Sequence, residues 1–534
     1  MGAADAGWWR SAVVYQVYPR SFADDNGDGV GDLAGVTSHL DHIADLGADA
    51  LWLTPFQRSP QADHGYDVSD YRDVDPLFGS LADFDALVEA AHHRGLRVVV
   101  DLVPNHCSSE HPAFLAALAA GPGSPERERF HFLPGRGDGG DLPPNNWPSV
   151  FGGPAWTRVR EADGRPGEWY LHLYAPEQPD WNWRDPATAE LMDDALRFWL
   201  DRGADGVRID VAHGLFKADG LPDHDQPDAI EPMRLRGNPL ACDQEEVHEV
   251  YRRWRSICEE YSPERVLVGE VNLVPERAAR YVRPDELHQA FAFAFLAAPW
   301  DARAWCEAAT GLLDAATRTG SPVTWVVENH DVVRTPTRYG GGPRGSARAR
   351  AALLAVLALP GSAYLYQGQE LGLPEVDVPV SARQDPAWLR SGVTRDGARV
   401  PLPWTEAPAG VHGFSSSATA QPWLPVPEDG WGALSVAAQT RRDGSTLELC
   451  RAALSLRRRL HAEGWLTPDD RTTVVVQGGG LLVVDRARLR LAVNLGEVPE
   501  PLPEGDLLLA TGPLDADGQL PPDTAVWLSG SSST

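Results

Sequence analysis

The run G-V-R-I-D, Gly206 to Asp210, is a short apolar strand that ends on an acid, with Arg208 two residues before it. Residues i and i+2 of a strand point to the same face, so Arg208 and Asp210 are read as neighbours. Two further runs share this form. R-V-L-V-G-E (Arg265 to Glu270) closes on Glu270, and V-T-W-V-V (Val323 to Val327) leads into E-N-H-D, which closes on Asp331. Five more strand-like runs complete the set: Val13 to Tyr18, Ala50 to Thr54, Leu96 to Val103, His288 to Phe295 and Ser362 to Gln367. Stretches with helical spacing separate them. Leu81 to Gly95 is one, with apolar residues at i, i+3 and i+4 and a glycine stop. Eight strands alternating with helices predict an α/β protein with a closed (β/α)8 TIM barrel. An open doubly wound sheet usually carries a Gly-rich phosphate turn, and none follows the first strand.

Two spacings break the alternation. The stretch from Asn105 to Pro179 is dense in Gly, Pro and Trp and too long for a loop, so it predicts an inserted subdomain on the barrel rim after strand 3. Beyond about Ser455 the pattern changes to short strand-like pieces parted by Gly and Pro, which predicts a C-terminal all-β domain. The expected division is 1–104 and 176–455 for the barrel, 105–175 for the insertion and 456–534 for a β-sandwich. The last residues, G-S-S-S-T, are expected to fray.

A formal charge of −29 argues against nucleic acid or anionic membrane as partners, because phosphate binding calls for clustered Lys and Arg. Lys217 is the only lysine, for which codon bias is explanation enough. The five cysteines are widely spaced without a C-x-x-C pair, so neither a disulfide framework nor a zinc site is expected. The first residues lack the basic flank and apolar core of a signal peptide, and the longest apolar run, Ala351 to Leu359, is too short to span a bilayer. These features predict a cytoplasmic protein, a monomer or homodimer.

Cleaving a glycosidic bond needs carboxyl groups in different protonation states around one sugar ring. Arg208 can hold the Asp210 carboxylate ionised and oriented, as a nucleophile requires. Partial burial at a strand end would raise the pKa of Glu270 and suit it to donate a proton. Asp331 supplies another carboxylate, with Asn329 and His330 beside it. Taken singly, Arg208 and Asp210 could also be a buried structural ion pair, the less favoured reading, and Glu270 and Asp331 could be caps at a strand-to-helix turn. Three acids at the ends of strands four, five and seven make coincidence a poorer account.

These segments, in this order, resemble the conserved regions of the α-amylase superfamily, glycoside hydrolase family 13, and within it the oligo-1,6-glucosidase and α-glucosidase group. Q-P-D-W-N-W (Gln178 to Trp183) resembles that group's Q-P-D-L-N-W signature, and V-Y-Q-V-Y-P-R-S-F, G-S-A-Y-L-Y-Q-G-Q-E-L-G from Gly361 and R-D-G-A-R-V-P-L-P-W from Arg395 match as well. The resemblance implies Asp210 as nucleophile, Glu270 as general acid/base and Asp331 as a carboxylate gripping ring hydroxyls. His106, Arg208 and His330 would line the same subsite. Asp63 would hold the terminal glucose, Tyr66 would stack on its ring, and Arg399 would pair with Asp63 to close the pocket. Phe151 is a candidate aromatic wall for the leaving sugar, and equally a core residue of the insertion. The implied activity is a retaining exo-acting α-glucosidase acting on short α-linked glucose oligosaccharides, with transglucosylation possible in principle. A trehalose synthase or sucrose isomerase is the alternative on this fold; a non-catalytic sugar-binding or transporter-associated subunit is the alternative of another class.

Asp24, Asn26, Asp28 and Asp32 form D-x-N-x-D-G-x-G-D, which fails as an EF-hand because its twelfth position holds Gly35. The resemblance implies one structural calcium or magnesium ion here, with the Val30 backbone oxygen helping. Cys107, Glu328 and the pair Val271-Asn272 depart from the family pattern and are expected on the pocket wall. Val211 resembles members that tolerate α-1,6 bonds, whereas A-H-G-L after it resembles actinobacterial enzymes that take maltose-like substrates.

Overall fold

A computed structural model describes residues 7–161 and 163–530 of the chain. The first six residues and positions 531–534 of the expected frayed tail lie outside the described residues. The barrel strands are β1 (Val13–Val17), β2 (Ala50–Leu53), β3 (Arg97–Leu102), β4 (Gly206–Ile209), β5 (Val266–Gly269), β6 (Gln289–Ala290), β7 (Thr324–Val326) and β8 (Ser362–Tyr366). They pair in the order β6-β5-β4-β3-β2-β1-β8-β7, every pair parallel. A parallel bridge between Phe291 and Thr324 joins the two edges, with the Ala292 amide donating to the Thr324 carbonyl at 2.9 Å. The expected barrel is present and closed.

Alternation along the strands builds two layers of core. Val14, Trp52, Val99, Val266, Val268 and Tyr364 fill the barrel lumen. Their sequence neighbours Val13, Leu51, Val98, Val100 and Leu267 face outward to the surrounding helices. The helices include α1 (Leu81–His93), α2 (Pro186–Asp201), α3 (Val247–Glu259), α4 (Ala302–Thr319), α5 (Gly342–Ala358) and α6 (Thr446–Ala462). At Gly206 the backbones of β4 and β5 come so close that a Cβ would lie 2.4 Å from the Val266 carbonyl oxygen. That close approach accounts for the glycine.

Three expectations need correction. The sixth strand has only two residues, and Phe293–Leu296 is a helical turn rather than strand. The F-A-F-A-F alternation continues past the bridge that closes the barrel, where no neighbouring strand remains to pair with. The expected boundary at 455/456 falls inside α6, which runs unbroken to Ala462. The C-terminal strands β9 (Thr472–Gln477), β10 (Leu481–Arg486), β11 (Leu489–Asn494), β12 (Leu507–Ala510) and β13 (Thr524–Ser529) form one antiparallel sheet, not the two facing sheets of a sandwich. Helices α4 and α5 cover one face of that sheet, where Trp527 donates its indole N–H to the Leu354 carbonyl at 3.0 Å. A sheet so covered needs no partner sheet.

The insertion carries a three-stranded sheet of Phe132–Leu133, Trp156–Arg160 and Pro166–Leu171. Its core of Trp147, Phe151, Trp156 and Leu171 continues into Val211 and Leu235, beyond β4, so it is fused to the barrel rim. Among the described residues no helix is long and apolar enough to cross a membrane.

Candidate active site

Strand register places the acids. Asp101 of β3 lies opposite Arg208 of β4, Arg208 lies opposite Val268 of β5, and Glu270 follows two residues later on the same inward face. Arg208 is buried over the Trp52 ring, its guanidinium carbon 5.1 Å from the ring centre. One nitrogen donates to Asp101 at 2.9 Å and to Asp210 at 2.8 Å, and the other donates to Glu270 at 2.5 Å. The Val211 amide adds a bond to Glu270 at 3.2 Å. Three carboxyl groups therefore share one cation. Burial pushes the Asp210 carboxyl well above the usual carboxylate range; Arg208 opposes the rise, and Glu270 and Asp101 add to it. Burial likewise pushes Asp101 up to about 7 against the pull of Arg208.

The opposite side of the same cavity is built differently. Arg395 donates to Asp63 at 2.9 Å, to Asp385 at 2.8 Å and to Asp331 at 3.2 Å, and Arg399 donates to Asp331 at 2.7 Å. The expected Arg399–Asp63 pair is thus replaced: Arg395 holds Asp63, and Arg399 holds Asp331 and the His330 carbonyl. The two arginines stand four residues apart across a single 3-10 turn, Asp396–Ala398, so both reach the site and sequence distance does not say which acid each takes. Burial would raise Asp331, but His330, Arg395 and Arg399 outweigh it and hold its carboxyl below the usual range. For Asp63 burial prevails over the same arginines and raises it.

His330 and His106 are both buried, and burial pushes both down to about 3. His330 is held from two sides, by Gln16 at 2.7 Å and by the Tyr66 hydroxyl at 2.7 Å, and the Tyr66 ring lies parallel to it within 3°. Gln178 links His106 to Asp63, 3.1 Å from each. Phe151 is buried in the insertion's core, yet it lines the cavity on the Arg395 side, its ring 4.9 Å from that guanidinium. The cavity holds about 390 Å³, and Asp63, Tyr66, His106, Asp210, Glu270 and Asp331 all line it. Arg208 and His330 stand directly behind that lining, and Arg399 behind Asp331.

Of the departures, Asn272 lines the cavity, but Cys107, Val271 and Glu328 do not. Glu328 is buried and ion-paired with Arg334 at 2.9 Å. Lys217, set down to codon bias, has a specific place: fully buried, it donates to Asp180 and to the Asn105 side chain, each at 2.8 Å. It ties the segment after Asp210 to the segments bearing His106 and Gln178. Asp385 and Arg395 went unread as site residues. The arginine inside R-D-G-A-R was the available signal.

A family model described as the alpha amylase catalytic domain matches residues 16–464. The chain belongs to the α-amylase family. It is a glycoside hydrolase family 13 enzyme, and a domain of unknown function matches residues 451–527. The chain is 39% identical over 442 residues to a probable alpha-glucosidase of Rhizobium meliloti (strain 1021), covering 79% of this chain and 77% of that protein. It is 34% identical over 457 residues to the oligo-1,6-glucosidase of Parageobacillus thermoglucosidasius, covering 78% of each. Among solved structures, an alpha-glucosyl transfer enzyme superposes with a TM-score of 0.84 at 35% identity, covering 98% of both chains. The trehalulose synthase of Pseudomonas mesoacidophila MX-45 gives 0.85 at 27% identity, covering 98% of this chain and 99% of that one. Neither named curated relative is actinobacterial, so they lend no support to the expected actinobacterial likeness of A-H-G-L.

Proposed function

We propose that the enzyme is a retaining, exo-acting α-glucosidase that removes terminal glucose from short α-linked oligosaccharides. The observation that carries this reading is the single guanidinium of Arg208 bridging Asp210 and Glu270. Carboxyl groups held on neighbouring nitrogens sit close together, as a nucleophile and a proton donor must in a retaining enzyme; an inverting pair stands further apart to admit water. Asp210 attacks the anomeric carbon while Glu270 protonates the leaving oxygen, giving a β-glucosyl ester on Asp210. Glu270 then takes a proton from the incoming water, and α-glucose leaves. Asp331, held ionised by two arginines, accepts hydrogen bonds from ring hydroxyls, and the Asp63–Arg395 pair limits the cavity behind the first sugar. NMR of the first-formed anomer on maltose tests this: α-glucose is expected, and β-glucose would overturn it. Maltose and isomaltose serve as the two linkage classes.

The likeness to a trehalulose synthase and to a glucosyl transfer enzyme favours a second reading, glucosyl transfer to another sugar. Isomeric disaccharides exceeding free glucose as products of sucrose would select it. The free state of all five cysteines, four of them buried, supports the cytoplasmic expectation, and we retain monomer or homodimer as the working assembly.

We further propose a hard cation at the acidic loop, although among the described residues no three acids are gathered closely enough to hold one as they stand. Asp24, Asp28 and Asp32 have no cationic partner among the described residues, their oxygens accept only backbone amides, and Asp24 adds to the burial that raises Asp32. An oxygen-only donor set suits calcium or magnesium. Asp24, Asn26, Asp28, Asp32 and the Val30 carbonyl would hold the ion and brace the loop; it takes no part in the reaction.

A further inference from the structure

Two arms bring the subsite groups to the cavity. One is the segment after β7, with Asn329, His330 and Asp331; the other is the turn after β8, with Arg395 and Arg399. Neither arm is a strand, so no ladder of backbone bonds sets one against the other. They meet in the cavity through arginine side chains, which are long and must themselves be aimed.

A buried pair behind the cavity ties the arms together. Glu328 and Arg334 are 1% and 0% exposed, and neither lines the cavity. One nitrogen of Arg334 donates to Glu328 at 2.9 Å and to the Gln367 carbonyl, just past β8, at 3.1 Å. The other donates to the Ala398 carbonyl at 2.8 Å. The guanidinium lies over the Tyr366 ring, 4.7 Å from its centre, and the Tyr366 hydroxyl gives that Ala398 carbonyl a second donor at 3.0 Å. Ala398 stands between Arg395 and Arg399, so its carbonyl is a fixed point for both. The turn cannot slide towards its other neighbour, because a Cβ on Gly397 would lie 2.3 Å from the Val376 carbonyl oxygen.

Glu328 is itself held in place. Its second oxygen accepts the Thr335 amide at 2.9 Å and the Thr335 hydroxyl at 2.6 Å. Both oxygens therefore face donors, which a carboxylate satisfies and a glutamine does not, since its NH2 group must turn to one side or the other. A guanidinium buried this deeply also needs a counter-charge, and Glu328 is its ion-pair partner.

We infer that Glu328 is a positioning residue: through Arg334 it fixes the Ala398 carbonyl, and with it the two arginines that hold Asp63 and Asp331 towards the sugar. The inference rests on the α-glucosidase reading of the cavity and adds to it a residue that touches no substrate.

The test measures, on the full chain, KM for maltose and the constant for competitive inhibition by glucose, with kcat alongside. A misfolded fraction lowers kcat and leaves both constants where they were, whereas a displaced grip raises both. In Glu328→Gln both constants should rise about tenfold, the scale of one charge-assisted hydrogen bond, with kcat down by about threefold or less. Arg334→Lys keeps the charge, but its single nitrogen cannot serve Glu328 and Ala398 together, so a similar rise is expected. The double variant should be little worse than either single one, because the two residues act in one chain of contacts. Where Glu328→Gln fails to fold, Tyr366→Phe decides: it removes one hydroxyl from Ala398 and should raise both constants about threefold. Loss of kcat with both constants unchanged in Glu328→Gln overturns the inference and leaves the glucosidase reading intact. Unchanged constants in Tyr366→Phe, where that variant decides, do the same. Failure of the unaltered chain to cleave maltose, isomaltose or sucrose overturns both.

Discussion

Two clusters of buried acids face each other across one cavity, and they differ in how many arginines they hold. The cluster proposed as catalytic sets Asp101, Asp210 and Glu270 around Arg208 alone. The subsite cluster sets Asp63, Asp331 and Asp385 around Arg395 and Arg399. With one cation to three acids, burial and mutual repulsion prevail, and Asp101 and Asp210 are pushed up. With two, burial is outweighed at Asp331 and Asp385, which are held low, and Asp63 alone rises. The stoichiometry of guanidinium to carboxylate thus divides the labour. One cluster holds protons more readily at Asp101 and Asp210, and the other keeps Asp331 and Asp385 charged.

The sharpest way to break this comparison is to neutralise one acid in each cluster. Asp210→Asn removes the proposed nucleophile, and kcat on maltose should fall about ten-thousand-fold or more. Because the variant also removes a surplus negative charge, its thermal midpoint should stay level or rise. A clear drop would mean that Arg208 depends on Asp210 and that the cluster is not overcharged. On the other side, Arg395→Met strips Asp63 and Asp385 of their shared partner. Leaving buried charges unpaired costs about 3–5 kcal/mol of stability, and a like loss in holding the substrate would lower kcat/KM roughly a hundred- to several-thousand-fold. The thermal midpoint should fall with it. If Arg395→Met lowers activity but leaves stability intact, the subsite cluster is no tighter than the catalytic one.

A smaller effect reads the coupling within the catalytic cluster. Asp101 carries negative charge that raises the Asp210 carboxyl, so Asp101→Asn should lower it. The acid limb of the kcat/KM profile should therefore move to lower pH, by about one unit or less. Movement to higher pH would show that Asp101 acts by orienting Arg208, whose loosened grip would let Asp210 rise.

How much of this was legible depends on the kind of residue. The barrel strands carry continuous apolar runs because both faces are buried, and all eight runs contain a barrel strand. The three acids ending β4, β5 and the segment after β7 could be read because position on a parallel strand fixes the rim. Partnering within the rim could not. Asp63 sits in the long connection after β2, and Arg395 and Arg399 on a turn after β8, so no periodicity links them. Lys217 misled by its rarity. Composition explains why a chain has one lysine, but only packing shows that this one is buried between Asp180 and Asn105. The sixth strand misled for the opposite reason, since alternation persists where a bridge has already closed the barrel.

The acidic loop extends the comparison to a cluster with no arginine at all. Asp24, Asp28 and Asp32 lean on backbone amides, and amides carry no net charge to offset three carboxylates. A bound divalent cation would supply what Arg208 supplies once and Arg395 and Arg399 supply together. Binding only the folded state at a hundred times the dissociation constant stabilises by about 2.7 kcal/mol, so calcium should raise the thermal midpoint by a few degrees and a chelator should reverse it. Asp32 also caps the helix Leu33–Ser38 through the Gly35 amide, so Asp32→Ala would confound lost binding with a lost cap. Asp28→Asn is the cleaner variant. It keeps an oxygen for the Val30 amide and removes one charge, and it should shrink the calcium-dependent shift without changing kcat on maltose. A shift that survives in Asp28→Asn and in Asp24→Asn alike would place the cation elsewhere in the molecule.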